Sequence, residues 1–216
     1  FVAQHKVLFA IAAIALLTAV NLRGIRESGS AFALPTYAFI VGMLIMLGWG
    51  FARIYLFGDD VHAESSAFDL QAEDSHLYGI AFAFLIARAF SSGCAALTGV
   101  EAISNGVPAF QKPKSRNAAT TLLLLGTFAI VLLMGIIMLA QKIGIVYAHD
   151  PDTQLVGAPE GYHQKTLIAQ LAEAVFSGFP VGFYFMAIVT ALILVLAANT
   201  AFNGFPVLGS VLAQDR

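Results

Sequence analysis

Ser91-Ser92-Gly93-Cys94-Ala95-Ala96-Leu97-Thr98-Gly99-Val100-Glu101 interrupts an apolar run that begins at Tyr78. Two glycines, three hydroxyls and one carboxylate stand where the flanking residues imply bilayer depth. Small residues let a helix open, and an opened helix exposes backbone polar groups. In hydrocarbon such groups are tolerated only where they line a cavity or are buried in protein. A helix interrupted near the midplane, with an acid at the interruption, points to a transporter binding site. After it, Ala102–Phe110 leads the chain out of the membrane. Gln111-Lys112-Pro113-Lys114-Ser115-Arg116 then lies in water.

Composition agrees with this reading. Of 216 residues, 59% are hydrophobic and 11% charged, where soluble domains carry roughly 25% charged residues. Mean hydropathy is +0.82. The chain reads as an all-α polytopic membrane protein. Its net charge of −2 gives no reason to expect nucleic acid as a partner, and its one cysteine, Cys94, excludes an internal disulfide. No glycine-rich phosphate loop, nucleophile elbow or HExxH motif is present, so the sequence is not read as an enzyme.

Five spans are predicted, at about 7–22, 31–57, 78–110 (the broken helix), 117–141 and 180–205. Together they make residues 1–216 one transmembrane transporter domain. Pro35 sits in the first turns of span two, where a missing N–H costs little. Between spans four and five, Thr166–Phe176 reads as a short amphipathic helix at the membrane interface. Leu167, Leu171 and Ala174 form its apolar face, with Gln170 and Glu173 elsewhere. Arg23 and Arg26 follow span one, and Lys112, Lys114 and Arg116 follow span three without acids. The positive-inside rule places both linkers in the cytoplasm. The acidic linker Gly58–Leu77 and the loop Lys142–Lys165 then face outward. The chain opens on Phe1 just before a span and stops just after another, which predicts a fragment of a longer protein.

Glu101 is the leading site residue. It stands three residues after Thr98, so in a helix both share a face. An anionic and a neutral oxygen together suit a hard cation. The alternative is that Glu101 pairs with a basic residue in the bundle. Ser92, Gly93 and Gly99 either open the helix toward a solute or let neighbouring helices pack closely. Arg88 is either a counter-ion for a buried acid or snorkels to the interface. Thr190 is the mid-span hydroxyl of span five, and a lone threonine there commonly bonds back to its own helix. Cys94 reads as a small apolar filler. Asn199, Thr200 and Asn203 read as a helix end. His149 and His163 lie in the outer loop without metal-ligand spacing.

Leu97–Pro108 followed by Lys112–Ala119 resembles the sixth helix and following loop of the amino acid–polyamine–organocation (APC) permeases. Asn21–Ser28 is similar to the end of their fourth helix, and Ala197–Pro206 to the end of their eighth. The resemblance covers the whole chain and lies nearest to the KimA-type potassium–proton symporters. It implies part of an inverted-repeat, LeuT-type fold, with these spans as helices four to eight and the flanking helices of the same protein as partners. It implies a multi-pass protein of a bacterial plasma membrane, a homodimer among its assemblies, no bound cofactor, and protons as coupling ion. In KimA-type proteins the matching threonine and glutamate are associated with potassium, so Thr98 and Glu101 become candidate metal ligands. In amino acid permeases the same glutamate takes part in gating. Sodium-coupled relatives have a second ion site where Thr190 falls. One departure matters. Many amino acid permeases cover their substrate with an aromatic at the break, and this chain has Cys94-Ala95-Ala96-Leu97, with Phe90 the nearest ring. The substrate expected first is potassium and second an amino acid. A non-transporting sensor or a channel on the same scaffold is the third reading.

Overall fold

The structure is a computed structural model that describes residues 6–22, 29–71, 78–94, 98–159 and 161–214. Arg23 and Arg26, Glu73 and Asp74, Ala95–Leu97 and the terminal Asp215-Arg216 lie outside the described residues, as do the side chains of Thr98, Glu101, Thr200 and Asn203. The chain is mostly helical: α1 (Lys6–Leu22), α2 (Gly29–Tyr55), α3 (Ile80–Cys94), α4 (Thr98–Asn105), α5 (Lys114–Lys142), α6 (Pro151–Gln154), α7 (Leu167–Val175) and α8 (Pro180–Gln214). Strands β1 (Asp69–Leu70) and β2 (Leu155–Val156) pair antiparallel, Asp69 opposite Val156 and Leu70 opposite Leu155. Among the described residues, three helices are long and apolar enough to cross a membrane: Ala33–Tyr55, Lys114–Lys142 and Pro180–Asn199. Helix α3, at 15 residues, is apolar but shorter.

The chain divides into two compact units, residues 1–49 with 175–216, and residues 50–174. In the first, α1 packs on α8, and α2 meets α8 at Gly42. A Cβ at Gly42 would lie 2.9 Å from Phe185 Cε1 and 3.0 Å from Met186 Sδ, so a side chain there would force these neighbours to shift. Met43, Met46, Leu47, Met186 and Val189 are buried. Helix α2 continues through Pro35.

The second unit, 50–174, is built around a cap of polar and apolar loop segments. Helix α2 stops at Gly58 (φ 69) and α5 stops at Gly144 (φ 70), left-handed positions that a side chain would strain. Beyond these stops the two following loops join. Ala63 N–H donates to Ile143 O at 3.0 Å, and Gln71 N–H donates to Gln154 O at 2.9 Å beside the β1–β2 pair. A 3₁₀ turn, Glu64–Ala67, buries Ser65. The Ser65 hydroxyl donates to Gln170 Oε1 at 2.5 Å and accepts from Val146 N–H at 3.1 Å.

Gln170 corrects one expectation. The sequence sets it apart from the apolar face of α7, yet only 2% of it is exposed. Burial is tolerated because both ends of its amide are used: the oxygen accepts from Ser65, and Nε2 donates to Lys165 O at 3.0 Å. Helix α7 therefore packs into the cap with Leu171 and Ala172 beside Gln170 in the interior.

Candidate functional site

Of the residues picked out by the sequence, Ser92, Gly93, Thr98, Gly99 and Glu101 sit on α3 and α4, and Thr190 sits on α8. Helix α3 carries Arg88, Ser92 and Gly93, all exposed, and ends at a partly buried Cys94. Of the stretch Ser91–Leu97, where an interruption is expected, residues 95–97 lie outside the described residues. Helix α4 begins at Thr98 and contains Glu101 in its first turns. It packs on α5, and Gly99 lies against Leu125. A Cβ there would lie 3.2 Å from Leu125 Cδ2. Gly93 is unlike it, since a Cβ built there meets nothing within 4 Å among the described residues. Gly99 thus lies in a helix contact, and Gly93 does not among the described residues.

The chain after α4 is tied to the base of α5. Val107–Ala109 forms a 3₁₀ turn, Lys114 Nζ donates to Pro108 O, and Asn117 Nδ2 donates to Gln111 O at 3.0 Å. These bonds hold the exit from α4 against the first turn of the longer helix.

Thr190 behaves unlike four threonines of α1 and α5. Thr18, Thr120, Thr121 and Thr127 each donate to the carbonyl four residues earlier, at 2.8 to 2.9 Å. Thr190 Oγ1 is buried and has no hydrogen-bond partner among the described residues. Its expected bond back to its own helix is therefore absent, and a buried hydroxyl in that state calls for an explanation such as a water or an ion. Asn199, on the same helix, is 7% exposed. Among the described residues no group of histidine, cysteine and acidic side chains is arranged to hold a metal ion. His149 and Asp150 give their backbone N–H groups to Gln154 Oε1 at 3.0 and 3.1 Å, an ordinary loop turn.

Electrostatics concentrate in the cap. Lys165 Nζ bridges Glu64 Oε2 at 2.8 Å and Glu173 Oε2 at 2.7 Å. Burial works against its charge, but hydrogen bonds to Glu173 and Glu64 outweigh that, and its pKa is raised. The buried hydroxyl of Tyr162 is pushed up by burial first and then by the charge of Glu64. Arg53, at the end of α2, donates to Asp59 Oδ2 at 2.8 Å and to Ala174 O at 3.2 Å. The sequence did not single out Ser65, Gln170 or the Lys165 bridge.

The family model for amino acid permeases matches residues 2–216. The chain belongs to the amino acid permease family. It is also 40% identical over 213 residues to the protein named potassium transporter KimA of Bacillus subtilis (strain 168), a match covering 99% of this chain and 32% of that relative. The chain thus spans about a third of the length of the curated relative it matches. The permease family and the relative carry names for different solutes, so membership by itself leaves the solute open. The family is one of membrane transporters, which agrees with the three long apolar helices.

Proposed function

We propose that this chain is part of a proton-coupled secondary transporter that takes up potassium across the plasma membrane of a bacterial cell. The observation that carries the solute is the 40% identity, along nearly the whole chain, to a relative named a potassium transporter. Thr98 and Glu101 supply one neutral and one anionic oxygen from α4, and Ser92, Gly93 and Gly99 border the opened stretch. Thr190, with its unpartnered buried hydroxyl, is a second ion site. No cofactor is required, because the proton gradient drives the cycle. The chain crosses the bilayer five times as helices four to eight of an inverted-repeat fold, with lipid and the remaining helices of the same protein as partners, and the assembly is a homodimer.

The cap supports this topology. Helices α2 and α5 both end in it, so residues 72–113 return the chain across the membrane once. Span three then crosses by way of α3 and α4, short as each is. The test is potassium uptake by the full-length protein in cells lacking their own importers. Wild-type protein should rescue growth on limiting potassium. Glu101→Gln should lower uptake steeply, since the anionic ligand supplies most of the attraction in a low-dielectric site. Thr98→Ala should weaken apparent affinity less. The family description favours a second reading, an amino acid permease in which Glu101 is a gate. Accumulation of a labelled amino acid without rescue on potassium would select that reading instead.

A further inference from the structure

The two loops of the cap are separate in sequence but share every kind of fastening. Backbone bonds run from Ala63 to Ile143 and from Gln71 to Gln154. The buried Ser65 hydroxyl touches both Val146 and Gln170. Lys165 reaches Glu64 across the cap and Glu173 on α7. Arg53 ties the last turn of α2 to Asp59 and to the end of α7, and Lys142, the last residue of α5, lies over the Tyr55 ring at 5.9 Å. The exposed ion pairs contribute little individually. The buried hydrogen bonds contribute more, because separating the loops would strand Gln170 and Ser65, which are 2% and 0% exposed.

We infer that this cap is one rigid clamp, holding the ends of α2 and α5 in a fixed relation throughout the transport cycle. Any rearrangement of these two helices during transport is then confined to their far ends and to the α3–α4 stretch between them. The inference rests on the reading of α2 and α5 as membrane helices of a working transporter. It does not depend on the solute.

The test is a cross-link across the two-stranded pair. Asp69 and Val156 stand directly opposite each other and both are exposed. Paired residues of this kind have Cα atoms about 4.5–5.5 Å apart, within the range a disulfide accepts. Asp69→Cys with Val156→Cys is placed in the full-length protein, with Cys94→Ala to remove the native thiol. Membranes are oxidised mildly, either energised or treated with a protonophore, and with either potassium or a mixture of amino acids present. A permanent clamp cross-links completely, at the same rate in every condition. Uptake of potassium, or of amino acids if those are what the unmodified protein carries, then stays within about twofold of the reduced sample, as expected when a bond joins parts that never separate. Failure to cross-link, a rate that changes with energisation or solute, or uptake lost on oxidation and regained with reductant would each overturn the clamp. Absence of potassium uptake by the unmodified protein would overturn the potassium reading alone, and the cross-linking rates would still decide the clamp.

Discussion

Ser65 shows how one small side chain can matter more than a charged neighbour. Its hydroxyl serves both Gln170 and Val146, so Ser65→Ala leaves a buried amide oxygen and a backbone N–H unpaired. Such losses cost about 1–3 kcal/mol. Ser66→Ala, next door, removes an exposed residue whose hydroxyl donates to Ala63 O, and surface changes usually stay within about 0.5 kcal/mol. The melting temperature of the purified full-length protein should fall clearly for the first variant and barely for the second. Equal shifts would mean that the Ser65 bonds contribute nothing. Lys165 sets the pH behaviour of the same region. Its pKa is raised above the ordinary 10.5, so its stabilising effect is complete below that value and is lost as pH climbs through the folded-state value. Tyr162, also raised, acts in the same direction. The melting-temperature advantage of wild type over Lys165→Gln should therefore be level at neutral to mildly alkaline pH and shrink above about 10.5. An advantage that persists unchanged into strong alkali would refute the bridge. None of these three residues could be singled out in the sequence, because nothing local marks a serine whose partners lie 81 and 105 residues away. Thr190 was visible as an isolated hydroxyl, but only the structure shows that it lacks the usual bond to its own helix.

At the scale of elements, hydropathy located the long helices but not their faces. Residues 42, 43, 46, 47 and 50 form the buried side of α2, while 44, 45, 48 and 49 are exposed, and both sides are apolar. In a membrane protein the lipid-facing side gives no polar contrast, so periodicity is silent there. It worked for α7, where the sequence expects a helix over Thr166–Phe176 and the structure has Leu167–Val175. Even there it put Gln170 on the wrong side, since a polar residue with two buried partners looks in sequence like one facing water. The docking of α4 on α5 is a further case. Gly99 is notable in the sequence as a small residue, but its neighbour Leu125 is known only from the fold. Gly99→Ala presses a methyl against the Leu125 side chain and should reduce transport by the full-length protein. Adding Leu125→Ala should restore part of it, because contacting residues couple. No rescue would place the role of Gly99 in the opening of the helix and not in this contact.

At the scale of the whole molecule, the charge pattern and the cap address the same question by independent routes. Lys112, Lys114 and Arg116 cluster without an acid, and the sequence therefore places them in the cytoplasm. The linker Gly58–Leu77 is acidic and is placed outside. The structure adds a length. Helix α5 runs 29 residues from Lys114 to Lys142, roughly 43 Å at about 1.5 Å per residue, which exceeds the ~30 Å hydrocarbon core of a bilayer. Its last residue is fastened into the cap that contains Glu64–Ala67, and its first lies in the basic loop. If α5 crosses the membrane, the two linkers must lie on opposite sides, whichever way the protein is inserted. The basic cluster then chooses the direction. Single cysteines at Ser115 and Ser66, in full-length protein lacking Cys94, make both halves of this testable. An impermeant thiol reagent added to intact cells should label Ser66→Cys and leave Ser115→Cys untouched until the membrane is permeabilised. Labelling of both from one side would mean that α5 does not cross, and the clamp would lose its membrane role. Labelling of Ser115→Cys alone from outside would keep α5 as a span and invert the protein. That result would turn Glu101 toward a different entrance and would contradict the positive-inside rule for this chain.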